Sequence, residues 1–194
     1  MRNSPFLVGI DVGSGAIRIV VLDAHQETPR IVYVGQIATE SVYRGYIKDI
    51  GKTSALLKRL VARAEKNINA KIRDVHVAFG AISLSSHIAS GTIVIGRADG
   101  EVNESDVDRA ISKAEDVLLN DTKNRKIIHT FPLEYKLDGK QVFGNPIGLS
   151  GVKLEARVML VSAYEHHIDT LARTLDKAGL RDRKSTRLNS SHYS

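Results

Sequence analysis

Residues 9–23, GIDVGSGAIRIVVLD, set one carboxylate and a Gly-Ser-Gly step between two apolar runs. Glycines at the tip of a hairpin let backbone N–H groups come close to an anion, and a serine adds a hydroxyl donor. Gly13, Ser14 and Gly15 therefore read as a phosphate cradle. Asp11 cannot itself bind phosphate, but it can hold Mg²⁺, directly or through water, against β- and γ-phosphate oxygens. Arg18, on the second run, can add a charge-assisted contact to the same phosphates. The Asp-x-Gly pattern is short and also serves plain turn chemistry, so from these residues alone both readings stand.

Other polar groups point to structure rather than chemistry. The acidic pairs Asp106/Asp108 and Glu115/Asp116 are spaced so that a helix scatters them, which reads as surface charge. His166 and His167 are adjacent and do not share a helix face, and no His-x3-His pair occurs. His76, His87 and His129 are isolated in strand-like segments, where a hydrogen-bonded imidazole is the default reading. Ser14 has no neighbouring base in sequence to make it a nucleophile. There is no cysteine, so disulfides, thiolate metal sites and cysteine nucleophiles are excluded.

The elements that must position the Asp11 turn follow from apolar periodicity. FLVGIDV (6–12), IRIVVLD (17–23) and RIVYVGQ (30–36) are strand-like runs separated by turn residues. Leu56, Leu57, Leu60, Val61, Ala64 and Ile68 recur at three- and four-residue steps and predict a helix over about 52–69, followed by a strand at 74–79. Beyond Gly80 a second unit is expected, with strands TIVIG, RKIIHTFPLEYKL and LEARVMLV (154–161). Its helix carries the stripe Val107, Ile111, Ala114 and Leu118, capped by Asn103 with Asp106 three residues on. Ser162-x-x-Glu165 has capping-box spacing before a last helix with Ile168, Leu171, Ala172 and Leu175, and Gly179 falls at its C′ position.

The chain has 194 residues, 42% of them hydrophobic, enough for one large or two small domains with a core. No apolar run approaches the roughly 20 residues of a membrane span, and the N-terminus lacks a secretory h-region, so the chain reads as cytoplasmic. The net charge of +6 is concentrated at the end. Residues 183–194, RKSTRLNSSHYS, hold three basic side chains and no acid, lack periodicity and read like translated adapter sequence rather than protein. Without those three, 25 basic side chains face 22 acidic ones, interspersed as on a solvated helix face. No nucleic-acid partner is expected.

The hairpin is similar to the first phosphate loop of the actin/Hsp70/sugar-kinase superfamily, with Arg18 where actin has lysine. Three further stretches, YRGYIKD (43–49), VHVAFGAISLSSH (75–87) and GNPIGLSGVKLEARVMLVSA (144–163), resemble the bacterial cell-division family FtsA in the same order, and the resemblance spans residues 5–182. It implies an α/β, ribonuclease-H-like and actin-like subdomain 1A (1–82 and 163–182), interrupted by an α+β, SHS2-like subdomain 1C (83–162). It also implies ATP and Mg as cofactors, with Asp11 on the magnesium side and Gly13, Ser14, Gly15 and Arg18 at the phosphates. No catalytic residue is implied, and at most weak ATPase activity.

The implied partners are FtsZ, further copies in a filament, later division proteins through 1C, and the inner face of the cell membrane. Against that family the chain is expected to stop near Asp182, before the second phosphate loop, the adenosine pocket, the FtsZ-tail site and the membrane helix. The ATP site would then be incomplete. Two alternatives remain: a pilus-assembly ATPase partner with the same insertion, and a sugar or acetate kinase. A kinase should carry sugar-contacting polar residues after the fourth strand, where this chain has GAISLSSH.

Overall fold

A computed structural model describes residues 5–25, 27–78, 80–121 and 123–182. The tail at 183–194 and Phe79, expected as the end of a strand, lie outside the described residues. The chain divides into two compact units, one built from the residues up to Ile82 together with those from His166 on, the other from Ser83–Glu165.

In the first unit the strands β1 (Phe6–Val12), β2 (Ala16–Asp23) and β3 (Arg30–Ala38) form an antiparallel meander. Alternation along β1 and β2 turns Val8, Ile10, Val12, Ile17, Ile19 and Val21 to one buried face. The helix α1 (Ile50–Ile68) lays Leu57, Leu60, Val61 and Ala64 against that face. It starts two residues earlier than expected because Asp49 is its N-cap, accepting from the Lys52 N–H at 2.9 Å. Then β6 (Asp74–Ala78) returns parallel to β1, and β11 (Arg181–Asp182) pairs parallel to β6. The resulting order, β11-β6-β1-β2-β3 with β2 antiparallel to both neighbours, is the ribonuclease-H-like arrangement.

Glu65 anchors the exit of α1. Its carboxylate accepts from the Ile72 N–H and from Lys71 Nζ, each at 2.9 Å. Burial raises its pKa, but these two hydrogen bonds outweigh that, and the net shift is downward. At the far end of the unit, α3 (Glu165–Ala178) closes with a Schellman turn. Gly179 N–H donates to the Asp176 carbonyl at 2.9 Å and Leu180 N–H to the Leu175 carbonyl at 3.0 Å, with both leucines buried. The expected C′ glycine is in place.

The expected capping box is not. Ser162 sits inside β10 (Lys153–Tyr164), fully buried, and its hydroxyl accepts from Arg125 Nε at 3.0 Å. Pairing with the strand Arg125–Leu137 carries β10 two residues past Ser162, overriding the local signal.

Although His166 and His167 are successive, their rings lie 4.1 Å apart at the start of α3, and Tyr46 packs against His167 at 4.9 Å. Burial, and next the charge of His166, lower the His167 pKa below its ordinary 6.5. The fold therefore favours neutral His167. That preference is fully present above pH 6.5 and is lost as pH falls toward the depressed folded value, because the unfolded chain takes up the proton first. Melting temperature is expected to drop between pH 7 and pH 5, with a shallower slope in His167→Gln. An identical slope in the variant would contradict this.

The second unit is a four-stranded sheet, β7 (Ser85–Val94), β10, β8 (Arg125–Leu137) and β9 (Lys140–Val142), covered by α2 (Glu104–Asp121). Strand β7 begins seven residues before the expected TIVIG because Ser85–Val94 pairs with β10 over ten consecutive positions. Pro132 falls at a bulge between β8 and β10, the register shifting at Arg157/Val158. Asn103 caps α2 as expected: its Oδ1 accepts from the Asp106 N–H at 3.0 Å, and the Asp106 carboxylate accepts from the Asn103 N–H at 3.2 Å. Asp106 is therefore 4% exposed, a structural cap and not surface charge, and Arg109 pairs with it at 3.1 Å. Glu115 is likewise engaged, accepting from Thr130 Oγ1 at 2.6 Å.

The run Asn145–Gly151, legible only as a turn, is a strap. Gly148 N–H donates to the Val102 carbonyl, Val102 N–H to the Leu149 carbonyl, and Gly151 N–H to the Gly100 carbonyl, pinning the chain that enters α2.

Candidate functional site

The Asp11 turn is placed by strong elements on both sides. Register between β1 and β2 sets Asp11 directly opposite Arg18, and the Gly13 N–H closes the turn on the Ala16 carbonyl at 3.1 Å. That amide is spent inside the turn. The N–H groups of Ser14 and Gly15 have no partner among the described residues, so the turn tip offers two free donors. A Cβ on Gly15 would meet nothing within 4 Å, whereas one on Gly13 would come 3.0 Å from the Ala16 carbonyl oxygen. Asp11 Oδ2 accepts from Arg18 Nη1 at 3.0 Å, and both side chains are about half exposed, 48% and 56%. An ion pair that open to water contributes about 0–1 kcal/mol to stability. Its main effect is to orient the carboxylate.

Facing this turn is a short hairpin that sequence reasoning did not assign to the site. Strands β4 (Val42–Tyr43) and β5 (Tyr46–Ile47) are joined by Arg44-Gly45, with φ of 48° and 76°. Two successive positive φ angles in a two-residue loop make a type I′ turn. The hairpin is fixed from below and from both sides. Val42 and Ile47 are buried in the core, and a chain of hydroxyls runs Thr39–Ser41–Thr53, each step 2.7 Å, to the first turn of α1. Gly45 N–H donates to Ser14 Oγ at 3.3 Å, leaving the serine proton available to a further acceptor. Ile82 N–H donates to the Arg44 carbonyl at 3.2 Å. The Xaa-Gly step flanked by Tyr-rich runs was the available signal for this turn; nothing local gave its position beside Ser14.

Between the two turns and residues 80–82 lies a cleft of about 480 Å³. Asp11, Gly13, Ser14, Arg44, Gly45 and Gly80 are among its lining residues; Gly15 and Arg18 are not. The cleft thus brings together three of the five expected residues, with Gly15 at the turn above it and Arg18 held on Asp11. One carboxylate, the free Ser14 amide, a hydroxyl and a guanidinium on one cleft, with the Gly15 amide at the turn above it, suit a phosphate chain with its magnesium ion. A single carboxylate cannot hold Mg²⁺ alone, so phosphate oxygens and water would supply the remaining ligands. Among the described residues, no cluster of three or more His, Asp or Glu side chains is placed to bind a metal, and no helix is long and apolar enough to cross a membrane.

The sheet order and the α+β insertion define an actin-like fold. Over 91% of its length the chain matches the solved structure titled "PilM-PilN type IV pilus biogenesis complex", with a TM-score of 0.60 at 14% identity, covering 46% of that chain. Residues 82–162 match the family model described as the SHS2 domain inserted in FTSA.

In sequence the chain is similar to cell division protein FtsA. It is 27% identical to that of Enterococcus hirae over 180 residues, 93% of this chain and 40% of the relative. Against that of Escherichia coli (strain K12) it is 24% identical over 176 residues, 90% of this chain and 41% of the relative. The chain spans about 40% of the length of the curated relatives it matches.

Proposed function

We propose that this chain is the phosphate-binding part of an actin-like cell-division protein of the FtsA type, binding ATP with Mg²⁺ through the Asp11 turn. The observation that carries the reading is the cleft shared by Asp11, the Gly13-Ser14 turn and the Arg44-Gly45 turn, with the free amides of Ser14 and Gly15 at its edge. When bound, the magnesium ion would neutralise phosphate charge. Asp11 takes the metal side, Gly13, Ser14 and Gly15 the phosphate oxygens, and Arg18 orients Asp11 with its guanidinium next to the same anion.

The fit of residues 82–162 to the SHS2 insertion, and the division proteins among the relatives, favour a divisome role over pilus assembly. In that role the second unit is a protein-interaction module, and self-association, FtsZ filaments and the inner membrane face are the proposed partners. ATP turnover would be slow at most.

Mg·ATP titrated into the 194-residue chain should shift the backbone amide resonances of Ser14 and Gly15. Asp11→Ala removes the metal-side ligand but frees Arg18, so its diagnostic is the magnesium dependence: affinity in Mg²⁺ should weaken by about 1–3 kcal/mol, and the difference between titrations with and without Mg²⁺ should vanish. Unchanged Mg-dependent affinity by calorimetry would refute the assignment.

A further inference from the structure

We propose that Arg44 is a second cationic contact for the phosphate chain, reaching it from the wall opposite Asp11. The inference rests on the reading of the cleft as a nucleotide-phosphate site. Arg18 carries the only guanidinium on the β1–β2 hairpin, and it is bound to Asp11 Oδ2 at 3.0 Å and stands outside the cleft lining. Its charge is already compensated by its partner. Arg44 lines the cleft, is exposed, and pairs with no carboxylate among the described residues; its guanidinium lies 5.5 Å from the ring centre of its neighbour Tyr43.

The backbone beneath Arg44 is held far more firmly than an exposed arginine requires. Its carbonyl accepts from Ile82 N–H, the next residue donates to Ser14, and Gly45 is pressed against Gly80. The Cα is fixed beside the Ser14 turn, while the long side chain keeps the freedom to follow an anion.

Arg44 also occupies a backbone conformation it does not favour. At φ 48°, the first position of a type I′ turn prefers Asn, Asp or Gly. A residue chosen for the turn alone would be one of those. This gives the proposal an experiment in which the structural and the electrostatic roles move in opposite directions. Arg44→Asn suits the turn better and removes the charge. Arg44→Lys keeps the charge on the less favoured backbone.

With Mg·ATP as the probe, followed by backbone amide resonances of the 194-residue chain, Arg44→Asn is expected to melt at the same temperature as the parent or higher. Its dissociation constant should be about 5- to 20-fold weaker, the scale of one partly solvated charge-assisted contact. Arg44→Lys should stay within about threefold of the parent. Inorganic pyrophosphate should show the same ranking, because the contact is to phosphate and not to the base. If Arg44→Asn binds as tightly as the parent while Ser14 and Gly15 still respond, the Arg44 contact is overturned and the turn assignment stands. If Ser14 and Gly15 do not respond in the parent chain, the phosphate site itself is overturned and Arg44 with it.

Discussion

Gly45→Ala is expected to destabilise the first unit by about 2–5 kcal/mol and to abolish the response of Ser14 to Mg·ATP. Two costs add. An alanine at φ 76° pays about 1–2 kcal/mol for the left-handed backbone. Its Cβ would also fall 2.1 Å from the Gly80 carbonyl oxygen, 2.6 Å from the Gly80 carbonyl carbon and 2.7 Å from the Ala81 Cα. All three are backbone atoms, so no rotamer change relieves them, and forcing extra volume into such a contact costs about 1–3 kcal/mol. The relief available is for the β4–β5 hairpin to lift off residues 80–82. That movement breaks the Ile82 to Arg44 hydrogen bond and withdraws Gly45 N–H from Ser14. Urea denaturation measures the first effect and amide titration the second. Gly15→Ala is the contrast: its φ is not positive and its Cβ position is open, so stability should change by less than about 0.5 kcal/mol. Equal losses in the two variants would mean that the cleft is not built on the Gly45–Gly80 contact.

That contrast also marks how far the sequence alone reaches. The glycines that stand out in GIDVGSG are conspicuous because they surround a carboxylate between two apolar runs. The glycine the site depends on sterically stands 30 residues further on, against a partner 35 residues beyond that. Apolar alternation made β1, β2 and β3 legible, and three- and four-residue steps made α1 legible, because burial on one face leaves a periodic trace. The Asp11–Arg18 pair is nearly legible too, since a hairpin turning at Gly13–Ala16 sets those positions opposite each other.

Contacts made by folding leave no such trace. The run TIVIG was legible as a strand, but the serine-rich stretch before it joins that strand from Ser85 on only because β10 supplies its partner, and Ser162-x-x-Glu165 meets every local condition for a cap while long-range pairing keeps Ser162 in a strand. Asp106 shows the opposite case. Its capping role was readable from Asn103, but its 4% exposure was not, because the spacing of acidic residues on a helix carries no trace of what packs over them.

In the second unit, the largest loss is expected from Gly91→Val, and it should leave the first unit's cleft chemistry intact. Gly91 lies on β7 beneath α2, where a Cβ would come 2.1 Å from the Ala110 carbonyl oxygen and 2.4 Å from the Ala114 nitrogen. Ala110 and Ala114 are fully buried, so the helix backbone itself rests on the strand at this point. Alanines on the helix and glycine on the strand are one solution to a single spacing problem: two backbones can approach this closely only if neither carries bulk at the crossing. A valine there must push α2 away from the sheet. The displacement opens space around Val107, Leu118, Val158 and Leu160, which together fill the core of this unit.

The expected cost is about 3 kcal/mol or more, overpacking at the crossing combined with the voids it opens nearby. Hydrogen exchange should report it as lost protection along α2 and β7, while the amides of Ile17, Ile19 and Val21 in the other core stay protected. Gly96→Ala, whose Cβ would meet nothing within 4 Å, is the matched control and should be close to neutral. Retained protection in α2 of Gly91→Val would show that the helix is not seated on the strand as described, and the packing account of the SHS2-like unit would fail with it.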